Sequence, residues 1–157
     1  MAVPKWKVKG LNGKFSFRKT AIIILRLRIN NLIRLITIFL TNESAESLHN
    51  VRIALRRVRY NMELFYSLFD RKKFLRFYTM IENLQDKTGS VRDIHILKQN
   101  ILSFEKEDDI IIPDRMNVMI EEKETLLNDN LKIELYRFLH SPELKNFVKI
   151  LKKKEIL

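Results

Sequence analysis

An all-α helical bundle is the fold class this sequence predicts, on three observations. The 157 residues include only three glycines and three prolines, so the punctuation that separates short strands is scarce. Apolar residues recur three and four apart rather than alternating, the period of helices that each bury one face. At 46% hydrophobic and 31% charged residues, the chain is apolar enough to build a core and too charged to be a membrane protein. Its length suits one domain able to bury roughly 70% of the surface its unfolded chain exposes.

The first stretch, residues 1–17, reads MAVPKWKVKGLNGKFSF, a basic lead-in without the apolar core of a secretory signal. A single helical domain occupies 18–157. Its first helix is expected at about 18–40, where Ile22, Leu25, Ile29, Leu32, Ile33, Ile36 and Phe39 share one side and Arg26, Asn30 and Arg34 the other. The same arginines, with Arg28, argue against a membrane span, since each charge costs a few kcal/mol at mid-bilayer. Asn42 and Ser44 are candidate caps for a second helix reaching about residue 69. A third helix is expected near 73–87. In DKTGSVRDIHIL, Gly89 suits a left-handed helix stop, and Ser90 with Asp93 three residues on forms a capping-box pattern. A fourth helix is therefore expected to open there after a tight corner. It fades in the acidic run 105–109, and Pro113 breaks the chain's helical course just beyond that run. The helical pattern resumes over 115–139, and Pro142 fits the first position of a short last helix. The reading is a four-helix unit plus a short C-terminal helix.

A net charge of +11 gathers anions without specifying which. With no cysteine there is no disulfide, no thiolate zinc site and no thiol nucleophile, as expected of a cytoplasmic protein. The charge is most organised in LHNVRIALRRVRY, residues 48–60. On a helix, His49, Arg52, Arg56 and Arg59 fall within an arc of about 80°, the arginines stacked over roughly 10 Å of axis. Val51, Leu55, Val58, Met62, Phe65 and Phe69 fill the neighbouring arc, so docking that apolar face aims the basic one. No acid interrupts the row until Glu63, although like charges at this spacing repel by a few tenths of a kcal/mol per pair. A polyanion explains the row, because guanidinium forks bind phosphate oxygens in pairs. A merely solvated helix face is the plainer alternative. Adjacent phosphates would favour the charged imidazole of His49, so affinity is expected to rise as pH falls from about 8 to about 6.

Other constellations carry less. GLNGKFS fails as a phosphate loop, because Gly10 and Gly13 are three apart and Phe15 follows Lys14 where serine or threonine is needed. His95 and His140 have no partner at metal-ligand spacing. The acidic run 105–109 reads as a solvated loop. No paired carboxylates, activated nucleophile or metal triad can be assembled, so no enzyme activity and no cofactor are expected.

The arrangement His49, Arg52, Ile53, Arg56, Arg57, Val58, Arg59 resembles the first signature of the CHAD family, the conserved histidine α-helical domain. LQDKTGSVRDIHIL is similar to that family's second signature, with Arg92 and Asp93 at its Arg-Asp pair and His95 where a second acid stands. RVRYNMELF resembles the second-half version of the basic helix, in which a glutamate occupies the position of Glu63. The similarity covers about residues 18–155. It implies an all-helical module that binds inorganic polyphosphate, without turning it over, in a channel lined by arginine and lysine. It implies phosphate contacts from His49, Arg52, Arg56 and Arg59, contributions from Arg57 and Arg92, and Asp93 behind them steering an arginine. CHAD domains pair two four-helix units across a pseudo-twofold axis, so a single unit implies a homodimer that brings two His49 helices together. Polyphosphate granules in the cytoplasm are the expected place of association. The competing partner is nucleic acid, whose backbone offers the same oxygens and for which Trp6 with Lys5, Lys7 and Lys9 would form an arm.

Overall fold

The computed structural model describes residues 8, 11, 13–107 and 111–153. The first helix, α1 (Phe17–Thr41), is started by Ser16, whose hydroxyl accepts from the Lys19 N–H at 3.3 Å. Its expected stripe is buried at Ile22, Leu25, Ile29, Leu32, Ile36 and Phe39, joined by Ala21, while Ile33 packs at the margin. Asn42 closes this helix by donating its N–H to the Ile38 carbonyl, and does not open the next. That role falls to Ser44 alone. The Ser47 N–H donates to Ser44 Oγ at 3.0 Å and the Ser44 N–H donates to Ser47 Oγ at 2.9 Å, a reciprocal cap on α2 (Ala45–Leu64). The helix stops short of residue 69 because Phe65 turns into the core, edge-on to Phe17 at 5.5 Å, and a 3₁₀ turn Tyr66–Leu68 comes next.

The expected corner at Gly89 does not exist. One helix, α3 (Arg71–Glu107), runs through 37 residues, and Gly89 lies inside it with helical backbone. A helical glycine is about 1 kcal/mol worse than alanine, too little to stop a helix whose buried stripe continues on both sides of it. Leu84, Thr88, Val91 and Ile94 supply that stripe. Nor do Ser90 and Asp93 cap anything. The Ser90 hydroxyl donates to the Asp86 carbonyl at 3.2 Å, and the buried Thr88 hydroxyl donates to that of Gln85 at 2.8 Å, so both are satisfied inside the helix. The true start is at Asp70, whose carboxylate accepts from the Lys73 N–H at 3.1 Å.

Two helices complete the chain, α4 (Asp114–His140) and α5 (Pro142–Lys153). Pro142 takes the first position of α5 as expected, and Ser141 Oγ accepts from the Leu144 N–H at 3.2 Å. Consecutive long helices pack on one another, α1 also meets α4, and α5 lies against α1, α3 and α4. The five-helix, all-α arrangement is thus a four-helix bundle with a short C-terminal helix. In its main core Phe147 of α5 stacks on Phe77 at 4.4 Å and meets Phe74 edge-on, and Phe69 stacks on Phe74. A second, small cluster of Ile94, Ile101 and Ile120 lies farther along α3. At a rise of 1.5 Å per residue α3 is about 55 Å long and α2 about 30 Å, and in the far part of α3 Ile94 and Ile101 pack with Ile120 of α4. Among the described residues, no helix is long and apolar enough to cross a membrane.

Candidate functional site

Burial of Leu48, Val51, Leu55, Val58 and Met62 fixes the rotation of α2 and so the direction of its basic row. His49 and Arg56 are exposed and Arg52 is half-buried at the margin of the core. None of the three makes a hydrogen bond or ion pair with another described residue. Arg59 differs. Its Nε donates to Glu63 Oε1 at 3.0 Å, and the Tyr78 hydroxyl of α3 donates to the same oxygen at 2.7 Å. Burial is the largest single influence and works against the Arg59 charge, but the bond to Glu63 together with the charges of Tyr78, Glu63 and Tyr60 outweighs it and holds the guanidinium above its ordinary value. The same carboxylate, through its bond to the Tyr78 hydroxyl, then burial and then its charge, pushes Tyr78 up to about 12. Of the expected row, His49, Arg52 and Arg56 are free and Arg59 is occupied.

The Glu63–Tyr78 contact also sets the register of the neighbouring helix. α2 and α3 are consecutive, packed and joined by a short turn, so they run antiparallel. Counting equal steps from that contact puts Glu82 level with Arg59, Gln85 with Arg56, Gly89 with Arg52 and Arg92 with His49. The second expected signature thereby runs alongside the basic row on the neighbouring helix, and the face between the two rows is the candidate trough. Arg92 is half-buried and has no ion pair among the described residues, so a further unpaired arginine stands level with His49. Glu63 and Glu82 close the other end. The candidate trough is therefore polarised along about 20 Å, cationic toward the start of α2. Asp93 is exposed and pairs with no arginine among the described residues.

Arg57 points elsewhere. It lines a groove of about 530 Å³ between α2 and α1, with Asn31, Arg34, Leu35 and Asn50. Burial first, and then the Arg57 charge, lower Arg28 of α1 below its ordinary value, so two like charges face each other there. His95, at the position of the second signature's missing acid, faces α4: its Nε2 lies 3.2 Å from Glu124, which also binds Lys98. It braces α3 against α4 and does not enter the trough. Sequence reasoning missed the Tyr78 wall and Gln85, whose side-chain oxygen is buried without a partner. It also missed a basic groove of about 370 Å³ between α3 and α5, lined by Lys73, Arg76, Lys149 and Lys153. A helical spacing of basic residues near 73–76 was the available signal, but only the docking of α5 joins them to the second pair.

Among the described residues, no group of His, Asp or Glu side chains is arranged to hold a metal. The expected nucleic-acid arm, Trp6 with Lys5, Lys7 and Lys9, lies outside the described residues, as do Gly10 and residues 108 and 109 of the acidic run. Neither a curated protein nor a solved structure gives a significant match to the chain. The family model of the CHAD domain matches residues 4–101, from the lead-in through both walls of the trough, and the chain belongs to the CHAD domain family.

Proposed function

We propose that this protein is a non-catalytic binder of inorganic polyphosphate, held in the trough between α2 and α3. The observation that carries the reading is the set of basic side chains without a partner among the described residues: His49, Arg52 and Arg56 on α2 and Arg92 on α3. Folding leaves these charges side by side without acids, a repulsive arrangement that a chain of phosphates relieves. Membership of a family known for binding polyphosphate supports the same reading. Arg59 serves less than its position suggests, because a phosphate must displace Glu63 to reach it. Arg57 belongs to the neighbouring groove and acts on the ligand only through the general field.

The test is a binding assay with polyphosphate of graded length on wild type, Arg52→Ala, Arg56→Ala and the triple variant Arg52→Ala/Arg56→Ala/Arg59→Ala. Each single change at Arg52 or Arg56 is expected to weaken binding by about tenfold and to lower the slope of log affinity against log salt by about 1. An unchanged affinity in the triple variant would remove the reading. Competition addresses the nucleic-acid alternative: polyphosphate should displace RNA at far lower phosphate concentration than RNA displaces polyphosphate. Incubation with polyphosphate and magnesium should release no phosphate.

A further inference from the structure

Glycine inside a long helix usually has one of two reasons, and neither applies at Gly89. Its backbone is helical, so it is not there for a left-handed conformation. A Cβ built on it would meet nothing within 4 Å, so it is not there to let a neighbouring helix come close. An alanine would fit and would favour the helix by up to about 1 kcal/mol. The missing side chain leaves open space in the α3 wall, level with Arg52 and between the levels of Arg56 and His49. One turn earlier on the same wall, Gln85 carries a buried oxygen with no partner among the described residues.

We propose that Gly89 is the clearance point of the trough, the position whose lack of a side chain lets the phosphate chain lie against α3 opposite Arg52. This rests on the polyphosphate reading above. Gly89 holds nothing and donates nothing; it keeps the α3 side bare opposite Arg52. Bulk added here therefore acts on the ligand and not on the fold.

The experiment compares wild type, Gly89→Ala, Gly89→Leu and Arg52→Ala for melting temperature and for affinity to long-chain polyphosphate. Gly89→Ala and Gly89→Leu are both expected to melt at or above the wild-type temperature, since each is a better helix former with room to sit. Gly89→Leu is expected to bind about tenfold more weakly, and Gly89→Ala about two- to threefold, because overfilling a contact surface forces the partner away. If Arg52→Ala loses affinity while both glycine variants bind as wild type, the clearance role is overturned and the polyphosphate reading stands. If wild type itself does not bind polyphosphate, both fall. Should Gly89→Leu melt lower than wild type, Gly89→Ala decides alone, and an affinity equal to wild type in that variant overturns the proposal.

Discussion

The Glu63 carboxylate receives two donors, Arg59 Nε and the Tyr78 hydroxyl, and so holds one arginine of the row out of service while joining α2 to α3. Replacing it by glutamine should release Arg59 to the trough. Polyphosphate affinity is then expected to rise about threefold, the worth of one partly exposed charged contact. Tyr78 loses its charged acceptor in that variant, and its titration, followed by tyrosinate absorbance, should move down from about 12 toward 10. The wild-type titration carries a stability signature of definite sign. Folding raises the Tyr78 pKa above its ordinary 10.0, so the folded state holds the proton more tightly. The stabilisation is complete below pH 10.0 and is lost as pH rises toward about 12. Tyr78→Phe should cost roughly 1 kcal/mol at neutral pH and flatten the loss between those limits, measured by denaturant unfolding across pH.

At the scale of elements, the first turn of α2 carries His49, and the Ser44–Ser47 pair is what ends that turn cleanly. Ser44→Ala should cost about 1 kcal/mol and speed amide exchange at 45–49, with a smaller loss of polyphosphate affinity than Arg52→Ala. Helix α5 depends on a different device. It is short, and it is fixed by three buried side chains, Leu144, Phe147 and Leu151, of which Phe147 stacks on Phe77. Phe147→Ala should lower stability by about 3–5 kcal/mol and open the groove that Lys73 and Arg76 share with α5, while leaving the α2–α3 trough assembled. Unfolding and polyphosphate titration of the same variant separate the two effects.

At the scale of the whole molecule, the bundle carries its trough between α2 and α3, and the far part of α3 with the start of α4 extends beyond α2. Apolar side chains are left outside there: Leu102 is 53% exposed, Met119 59% and Leu126 61%. We propose that two copies of the chain meet through these side chains. Light scattering is expected to give twice the chain mass at micromolar concentration. Leu126→Glu should shift it to the monomer and weaken long-chain polyphosphate more than short, since only long chains span two troughs. A wild-type monomer, with and without polyphosphate, would remove the dimer.

Much of this was legible in the residues alone. Periodic burial named the core faces of α1 and α2, serine at 44 and proline at 142 marked real helix starts, and the two signatures named the family before any contact was seen. These are properties of spacing, and spacing is fixed by the 3.6-residue turn. Two features came only with the tertiary structure. Gly89 looked like an end because its local preference is for an end, but a preference of about 1 kcal/mol yields to a continuous buried stripe formed with other helices. Arg59 looked equal to Arg52 and Arg56 because all three share one line on α2. What separates them is Tyr78 on α3, which joins Arg59 on the Glu63 carboxylate, and which side chain a helix meets is decided by the helix packed against it, not by its own sequence.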